Sequence, residues 1–496
     1  MNLPNPTSRF EGRRGEQASV LIIVLWIAIG LVSIALYFAN SMTYELRASD
    51  NRVAGLVTDQ AIEGASRYVG YVLSNFATNG NMPDLTQYSA EAVELGDAHF
   101  WIIGRAPSAD ASAISPQPTF GLIDEASKLN LNSADTNALS YLPGMDLNFA
   151  EAVVDWRSTN GNMSLNYANL GYEAKHSPFE TVDELRLVDG ADMETLIGDD
   201  HNRNGILDTD EKNSSGLNDA GVLDFLTIYT REPNALPDGT ALTNVNTQAS
   251  LRSLLRTRFG AGRATTVMTR LFPSNANNIG NNGNGGGGNG VGGNGGGGNG
   301  GGGNGGGGNG GGGNGGGGGG TGGTTTYASL LQMYIRSGLT EDEFNQIYSL
   351  LTVSTAPYIR GRVNVNTASA EVLSALFMSL NNIDQNTASS AADQLVTYRT
   401  QNPGNLGSIT WVVDCLGNTS PVLRALATHD YITTRTYQFT ADIAAVGPYG
   451  RGYRRVKFIF DTSDGTPKVI YRQDLSRLGW ALGDKARETW LAKVTQ

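Results

Sequence analysis

The stretch Ser19–Ala39, SVLIIVLWIAIGLVSIALYFA, decides the fold, because it carries no charge over its whole length. At about 1.5 Å of rise per residue, a helix of this stretch is about 31 Å long, which is enough to cross the hydrocarbon core of a bilayer. Arg9, Arg13 and Arg14 precede it and would hold the N-terminus in the cytoplasm. The sequence therefore predicts one membrane-spanning helix.

The helical pattern continues past the span, because apolar residues follow at helical spacing. These residues are Leu46, Val53, Val57, Ala61, Ala65, Val69, Val72 and Phe76. We therefore expect one continuous helix to about residue 76, apolar on all sides at first and on one side later, ended by Asn79-Gly80 and Pro83. The simpler interpretations are a plain anchor or a secretory signal, but a cleavable signal has a shorter apolar core and releases a soluble chain.

The junction Arg13–Ser19, RRGEQAS, joins a short basic leader to a helix that is apolar from its first turn. It resembles the class III signal of type IV pilins and type II secretion pseudopilins. In that family a membrane-bound prepilin peptidase cuts on the cytoplasmic side, after a small residue, and methylates the new terminus. The helix stays in the membrane until the subunit is pulled into a filament.

Two cuts fit this junction. Cutting after Ala18 makes Ser19 the first mature residue, and the apolar run then begins almost at the new terminus. Cutting after Gly15 makes Glu16 the first, and glycine is the usual residue before the cut in the family. Ala18 is favoured and Gly15 stays open.

With either cut the fifth mature residue is apolar, namely Ile23 or Val20. Most pilin-like subunits carry Glu there, which neutralises the terminal amine of a neighbouring subunit; a carboxylate at that depth is costly unless paired. Within the family this departure is typical of minor pseudopilin K, also called general secretion pathway protein K. The resemblance implies a tip subunit anchored once in the inner membrane, with its bulk in the periplasm. Its implied partners are minor pseudopilins of the I and J types, the pseudopilus and the prepilin peptidase.

Composition excludes several other classes. The chain has 496 residues, enough for two or three domains, and its net charge of −12 with a pI near 4.9 argues against a nucleic-acid surface. Cys415 is the one cysteine, so no intrachain disulfide can form. The four histidines are not at metal-ligand spacing and no nucleophile or metalloprotease motif occurs, so we expect no enzyme.

One short phrase recurs along the chain, as KLNLNSA in Lys128–Ala134, TNVNT in Thr243–Thr247 and RVNVNTA in Arg362–Ala368. Each is an extended piece that ends in Asn, after which Ser or Thr is expected to cap a helix. The first and third copies indicate an internal duplication, and the second matches less well. In the protein K family, helical modules preceded by such a phrase are inserted into a pilin-like fold.

The segment Leu139–Trp156 resembles a helix-hairpin-helix, or SAM-like, module: a helix, a Pro-Gly turn and a second helix, with Phe179–Leu185 as a further helix. Many such hairpins bind DNA by offering turn amides to a phosphate. Here Asp146 replaces the second turn glycine, and Glu151 and Asp155 add negative charge. We therefore expect a structural helix pair and no nucleic acid partner.

The segment Asp200–Glu211, DHNRNGILDTDE, matches the calcium-loop template D-x-N-x-N-G-x-x-D-x-x-E, with Gly205 at the sharp turn. The predicted ligands are Asp200, Asn202, Asn204, the backbone carbonyl of Ile206, Asp208 and Glu211. The alternative is a solvated acidic loop. A truncated match over Asn218–Asp224 could form a second site with Asp219 and Asp224. Calcium sites in the helical part also fit the protein K family, and the expected role is structural.

The fold class predicted from these features is α+β: a pilin-like long N-terminal helix packed on an antiparallel sheet, with a large, mainly helical domain inserted. Strand patterns over 97–105, 437–446, 453–461 and 468–472 supply the sheet. The predicted division is a leader (1–18), the helix (19–76, in the membrane at 19–39), a first pilin-like part (77–128), a helical module with the calcium loop (129–274), a Gly/Asn-rich linker (275–326), a second helical module (327–435), a β-meander (436–480) and a tail (481–496).

Two other functions remain compatible with the sequence. The first is a minor pilin of a type IV pilus, which would carry the same leader and helix. The second is a membrane-anchored helix-hairpin-helix DNA receptor, which the acidic charge disfavours.

Overall fold

The computed structural model describes residues 14–77, 79–105, 118–161, 164–208, 211, 220–273 and 325–494, without the side chains of 14–19, 164–166 and 490–494. Residues 1–13 of the predicted leader, all but the last two residues of the Gly/Asn-rich linker, and Asp219 lie outside the described residues. The fold is α+β, as predicted. A long N-terminal helix packs on an antiparallel sheet, and a large helical domain is inserted between two of the strands of that sheet.

The elements are numbered in chain order. The helices are α1 (Arg14–Phe76), α2 (Thr136–Ser140), α3 (Leu147–Arg157), α4 (Ser164–Leu170), α5 (Met193–Ile197), α6 (Gln248–Leu271), α7 (Leu330–Ser337), α8 (Glu341–Tyr348), α9 (Ala370–Met378), α10 (Gln385–Gln401), α11 (Thr410–Leu416), α12 (Pro421–Ala427) and α13 (Gly483–Val494). The strands are β1 (Val93–Leu95), β2 (Ala98–Ile103), β3 (Ile123–Asp124), β4 (Leu129–Asn130), β5 (Leu226–Thr227), β6 (Arg231–Pro233), β7 (Thr243–Asn244), β8 (Leu351–Thr352), β9 (Tyr358–Arg360), β10 (Val363–Asn364), β11 (Ile432–Thr433), β12 (Gln438–Val446), β13 (Tyr453–Asp461) and β14 (Lys468–Asp474).

Helix α1 ends at Phe76, where the sequence predicts its end. Within the described part of the chain, Val20–Phe76 is the one helix that contains a stretch long and apolar enough to cross a membrane. The large apolar side chains from Val20 to Val53 are exposed, and the ion pair of Asp50 with Arg451 at 3.1 Å lies near the C-terminal end of this half. The N-terminal half is thus available to lipid or to a partner helix.

The C-terminal half of α1 packs on the sheet through one face. The buried residues are Ala54, Thr58, Ala61, Ile62, Ala65, Val69, Val72 and Leu73. The predicted stripe is correct at its centre but wrong for Leu46, Val53 and Phe76, which are exposed. The sheet covers the helix only from Ala54 onward, because the turn between β12 and β13 meets the helix there. A Cβ on Gly452 of that turn would lie 2.9 Å from the Ala54 carbonyl oxygen, and the φ of +76° also favours glycine.

The main sheet has the order β1-β2-β12-β13-β14, and β3 pairs with β12 as well; every pairing is antiparallel. Strand β12 is buried along its whole length, because α1 covers one face and other segments cover the opposite face. Part of that second cover comes from Ala481 and Leu482, just before α13, within the segment that the sequence treated as a tail.

The inserted domain lies between β3 and β12 and contains three modules of the same construction. Each module begins with one copy of the recurrent phrase, which contains a short strand. It ends with another short strand that pairs in parallel with the first. These strand pairs are β4 with β5, β7 with β8, and β10 with β11. We call residues 129–227, 243–352 and 363–433 modules 1, 2 and 3. The second copy of the phrase, the weakest match in sequence, therefore starts a module like the other two.

The asparagines of the phrase build the same turn three times. The side-chain oxygen of the first Asn accepts the backbone amide of the second: Asn130 from Asn132 at 2.8 Å, Asn244 from Asn246 at 2.9 Å and Asn364 from Asn366 at 3.0 Å. The second Asn then reaches a distant segment. Its amide group donates to the carbonyl of Phe179 in module 1, of Tyr327 in module 2 and of Leu406 in module 3.

The helix caps differ from those predicted. Ser133 and Thr367 are not N-caps, and Thr247 is an N-cap residue whose side chain makes no capping bond. Asp135 caps α2 and Ser369 caps α9, in each case two residues later than expected. The physical reason is that these hydroxyls bond elsewhere: Ser133 donates to the Asn130 carbonyl within the turn of its phrase, and Thr367 donates to Asp124 at 2.5 Å.

The two ends of the insertion meet at a cluster of buried polar groups that we call the neck. Asp124 accepts hydrogen bonds from Asn364 (2.7 Å) and Thr436. The neighbouring Glu125 lies 3.2 Å from Lys128 Nζ and accepts from Thr440 at 2.6 Å. Residues before the insertion are thereby bound to residues at its start and end.

Burial alone would raise the pKa of Glu125, but Lys128, Lys457 and the hydroxyls of Thr227 and Thr440 together lower it to about 2. Because the folded pKa lies below the unfolded value, Glu125 stabilises the fold above pH 4.5. That stability is lost as the pH falls toward 2.

We therefore expect Glu125→Gln to remove up to about 3 kcal/mol of the acid-induced loss in the free energy of unfolding between pH 4.5 and pH 2. Urea unfolding at a series of pH values measures the slope of the free energy of unfolding against pH. Glu173→Gln, at an exposed carboxylate of module 1, is the matched control and should keep the wild-type slope. Equal slopes for wild type and Glu125→Gln would show that the neck carboxylate is not ionised differently in the folded state.

Candidate calcium loop and its contacts with the sheet

The predicted calcium loop lies between α5 and the short helix Val222–Asp224 and is largely buried against the sheet. Asp200 is 1 % exposed, and Asn202 and Asn204 are also buried. Gly205 has a φ of +85°, which is the left-handed conformation that the template requires at its sixth position. The backbone therefore makes, at Gly205, the sharp turn that the template requires.

Hydrogen bonds within the loop hold the predicted ligands in place. Asp200 accepts the backbone amides of Asn204 (3.0 Å) and Gly205 (2.7 Å) through its two carboxylate oxygens. Glu211 accepts the amides of Asn202 (2.9 Å) and Asp208 (3.2 Å). The first and last ligand positions thus tie the loop closed.

The side-chain amides of two asparagines donate hydrogen bonds to Asp208 in this structure. The side-chain nitrogens of Asn202 and Asn204 donate to the same oxygen of Asp208, at 2.6 and 2.9 Å. No cluster of three or more His, Cys, Asp or Glu side chains in the described residues is arranged to hold a metal ion. Calcium binding therefore requires both amides to rotate and present their oxygens.

The donor set fits calcium. The side-chain oxygen of Asn202 is buried and has no hydrogen-bond partner, which is unfavourable for a polar atom without water or an ion. Carboxylate, amide and carbonyl oxygens are the ligands that calcium prefers, and Ile206 offers its carbonyl in the same loop. If calcium is bound, it supplies positive charge that offsets the crowded carboxylates.

Burial raises the pKa of Asp200 to about 6, although the nearby Arg105 opposes this rise. The loop therefore holds a carboxylate whose charged form is disfavoured unless further positive charge is present.

Arg455 of β13 holds the loop on the sheet. Its side chain is fully buried and forms a bidentate ion pair with Asp442 of β12, with N–O distances of 2.9 and 2.6 Å. The same guanidinium donates to the backbone carbonyls of Asn202 and Arg203, the latter at 2.8 Å. The turn at the centre of the loop is therefore bonded directly to the sheet.

Arg105, which follows β2, contacts the same turn. It donates to the carbonyl of Arg203 at 2.9 Å and forms an ion pair with Asp224 at 3.0 Å. Although burial alone would raise it, the pKa of Asp224 is lowered to about 2 by Arg105 and Arg203. Asp224 is thus engaged by arginine in this structure. Asp219, its predicted partner in a second calcium site, lies outside the described residues, so that site stays a prediction.

The structure places the remaining predicted positions on α1. Ile23 is 55 % exposed in the N-terminal half of the helix. Gly15, Glu16, Ala18 and Ser19 lie within the helical backbone, and their side chains are outside the described residues. The calcium loop and the processing region are therefore separate features of the chain.

Sequence reasoning missed the arginines that bind the loop to the sheet. Arg105, Asp442 and Arg455 are far from the loop in sequence, and no motif connects them. A second repeated phrase was also missed. FLTIYT at Phe225–Thr230, LLTVST at Leu350–Thr355 and YITTRT at Tyr431–Thr436 close the three modules, and aligning the segments between the Asn phrases would have found it.

Comparison with known proteins gives little at the level of sequence. No protein-family model and no curated protein matches the chain. Among solved structures, this chain is similar to a chain in the crystal structure of the GspK-GspI-GspJ complex of the enterotoxigenic Escherichia coli type 2 secretion system. The match has 9 % sequence identity and a TM-score of 0.38, and covers 84 % of this chain and 96 % of that chain.

We expect calcium to raise the melting temperature of the wild-type protein by several degrees relative to chelator, because a ligand at one hundred times its Kd stabilises the folded state by about 2.7 kcal/mol. Glu211→Gln should lose most of this rise, since it removes the ligand that can bind through both oxygens.

The control is Glu173→Gln, which should keep the full effect of calcium. Titration calorimetry gives a second readout, with one calcium-binding event expected at the loop. A melting temperature that is the same in calcium and in chelator, together with no heat of binding, would contradict a calcium site.

Proposed function

We propose that this protein is a minor pseudopilin of the type II secretion system, similar to protein K, which caps the tip of the periplasmic pseudopilus and takes part in export across the outer membrane. The observation that carries the proposal is the division of α1. Its N-terminal half is apolar and exposed, and its C-terminal half packs against one face of the main sheet. A helix of this kind suits a subunit that rests in the membrane and later packs among other helices.

The tip position rests on charge. Between Ser19 and Tyr44 the chain contains no charged residue, and Ile23 stands where most pilin-like subunits carry Glu. Without that carboxylate, the helix has nothing to neutralise the terminal amine of the subunit above it. A subunit that does not sit beneath another has no need of this residue. The same logic makes the shaft of the filament a less favourable place for this chain.

The remaining parts of the proposal follow from this position. The partners are the prepilin peptidase during processing, minor pseudopilins of the I and J types at the tip, and the pseudopilus below. The chain is anchored once in the inner membrane, and its helical domain lies in the periplasm. Calcium would act as a structural ion that holds the loop of module 1 closed against the sheet. We propose no catalytic role.

Processing gives the sharpest test of the leader. In cells that contain a prepilin peptidase, intact-mass spectrometry should find a mature chain that begins at Ser19 and retains Val20–Ala39. Ala18→Leu should block this cut, and the matched Gly15→Leu should not.

The reverse result, in which Gly15→Leu blocks cutting, would place the cut before Glu16 and keep the pseudopilin proposal. A chain that is uncut, or cut after the apolar run, would refute it.

Assembly gives a separate test. We expect a complex with I-type and J-type minor pseudopilins to form through the exposed face of α1. Val53→Arg with Leu56→Arg should weaken that complex more than about tenfold, since both side chains are exposed and their loss leaves the core intact. Ile335→Arg, at an exposed apolar side chain of module 2, is the control. Size-exclusion chromatography with light scattering measures the complex, and its absence in the wild type would contradict the assignment of partners.

A further inference from the structure

Module 1 contains a group of large apolar side chains that are each between 37 % and 53 % exposed. We call it the module 1 patch, and its members are Tyr141, Leu147, Leu170, Tyr172, Leu187 and Met193. Leu147 is 53 % exposed and Met193 is 51 % exposed, although each is the first residue of a helix in a well-packed domain.

Contacts between neighbouring segments link the parts of module 1 that carry these residues. The hydroxyl of Tyr172 donates to the carbonyl of Leu187 at 2.7 Å. The side chain of Arg186 lies 3.8 Å from the sulfur of Met193. The N-terminal ends of α3 and α5 also lie side by side, since a Cβ on Gly144 would lie 3.9 Å from the Cα of Thr195.

Module 3 shows that the fold does not require apolar residues at these positions. Asp146 and Asp384 cap the second helix of their modules in the same way, and each follows a left-handed residue two positions earlier, Gly144 and Asn382. Leu147 therefore corresponds to Gln385, which is also exposed. By the same alignment, the helix C-caps Tyr141 and Ser379 correspond. At these two positions, module 1 carries large apolar side chains where module 3 carries polar ones.

The surroundings of the patch are acidic. Residues 136–199 contain eleven Asp and Glu but three Lys and Arg, whereas residues 370–428 of module 3 contain four and two. All three basic residues are engaged, because Arg157 donates to backbone carbonyls, Lys175 pairs with Glu184 at 2.9 Å and Arg186 pairs with Asp183 at 3.9 Å. Exposed acidic side chains border the patch on α3 and α5, namely Asp146, Glu151, Asp192 and Glu194.

We propose that the module 1 patch binds a cationic amphipathic segment of a partner protein. An exposed apolar surface bordered by like charges fits a segment with apolar side chains on one face and Lys or Arg beside them. The acidic border repels anionic lipid surfaces and nucleic acid, so neither is the occupant. This inference concerns the helical domain and does not depend on the role of α1.

A second copy of this chain is the competing occupant. Arg252, Arg256 and Arg258 of α6 form no ion pair with any described residue, and they offer the required charge. The large apolar residues beside them, Leu254 and Phe259, are partly buried in the core. Helix α6 therefore offers charge without an apolar face, which favours a different protein as the partner.

The test uses the full chain in nanodiscs of zwitterionic lipid and a fluorescent helical peptide of Leu and Lys, about 18 residues long. Fluorescence anisotropy, corrected for empty nanodiscs, measures Kd. We expect binding that weakens with salt and that a peptide with Glu in place of Lys does not show.

Leu147→Gln with Met193→Gln should weaken binding of the Leu/Lys peptide more than about tenfold. Glutamine is the residue that module 3 carries at the position of Leu147, so the variant should fold. Leu147→Gln alone is the milder version, and Ile335→Gln is the control that should bind like the wild type. Glu151→Gln with Glu194→Gln should weaken binding and reduce its dependence on salt.

Three outcomes would overturn the proposal. The first is equal affinity of the wild type and the Leu147→Gln, Met193→Gln variant for the peptide. The second is equal binding of the Lys and Glu peptides. The third is self-association of the wild-type chain in light scattering that disappears both in the patch variant and in Arg252→Glu with Arg256→Glu, which would make the occupant a second copy.

Discussion

The buried ion pair between Arg455 and Asp442 is the interaction on which the arrangement of this protein depends. Each partner sits on a central strand of the main sheet, where an unpaired charge would cost several kcal/mol. The pair leaves further donors on the guanidinium unsatisfied, and these donors reach the carbonyls of Asn202 and Arg203 in the inserted domain. The sheet therefore completes its own buried polar group only when the calcium loop lies against it.

The requirement that buried polar groups find hydrogen-bond partners also explains the neck and the three modules. An insertion between two strands must leave and return at one place, and there Asp124 and Glu125 accept hydrogen bonds from Asn364 of module 3 and from Thr436 and Thr440 where the insertion ends. Within the insertion, each Asn phrase completes its own turn and then binds a distant segment, so one local solution is used three times. The modules share this turn but differ on their surfaces. Module 1 has more acidic residues than module 3 and exposes Leu147 where module 3 has Gln385.

The sequence predicted the parts of the fold that are local. The long helix, its end at Phe76 and the strands near 98–103, 438–446 and 453–461 follow from hydropathy and alternation, which act over a few residues. The buried face of α1 was predicted correctly only where the sheet covers it. Leu46 and Val53 continue the helical pattern before the sheet begins, so periodicity could not separate them from Ala61 or Val69. The caps were placed wrongly because Ser133 bonds within the turn of its phrase and Thr367 bonds to Asp124, which is distant in sequence.

By itself, the sequence determined a membrane-length apolar helix continuous with an amphipathic one, an α+β fold with a helical insertion, and a loop with the oxygen donors of a calcium site. These properties depend on spacing along the chain. Only the tertiary structure decided that this loop is bonded to the sheet, and that Asp224 faces Arg105. It also decided which large apolar side chains of module 1 are left exposed. Such features join residues that are distant in sequence, so the order of the residues alone does not specify which of them meet.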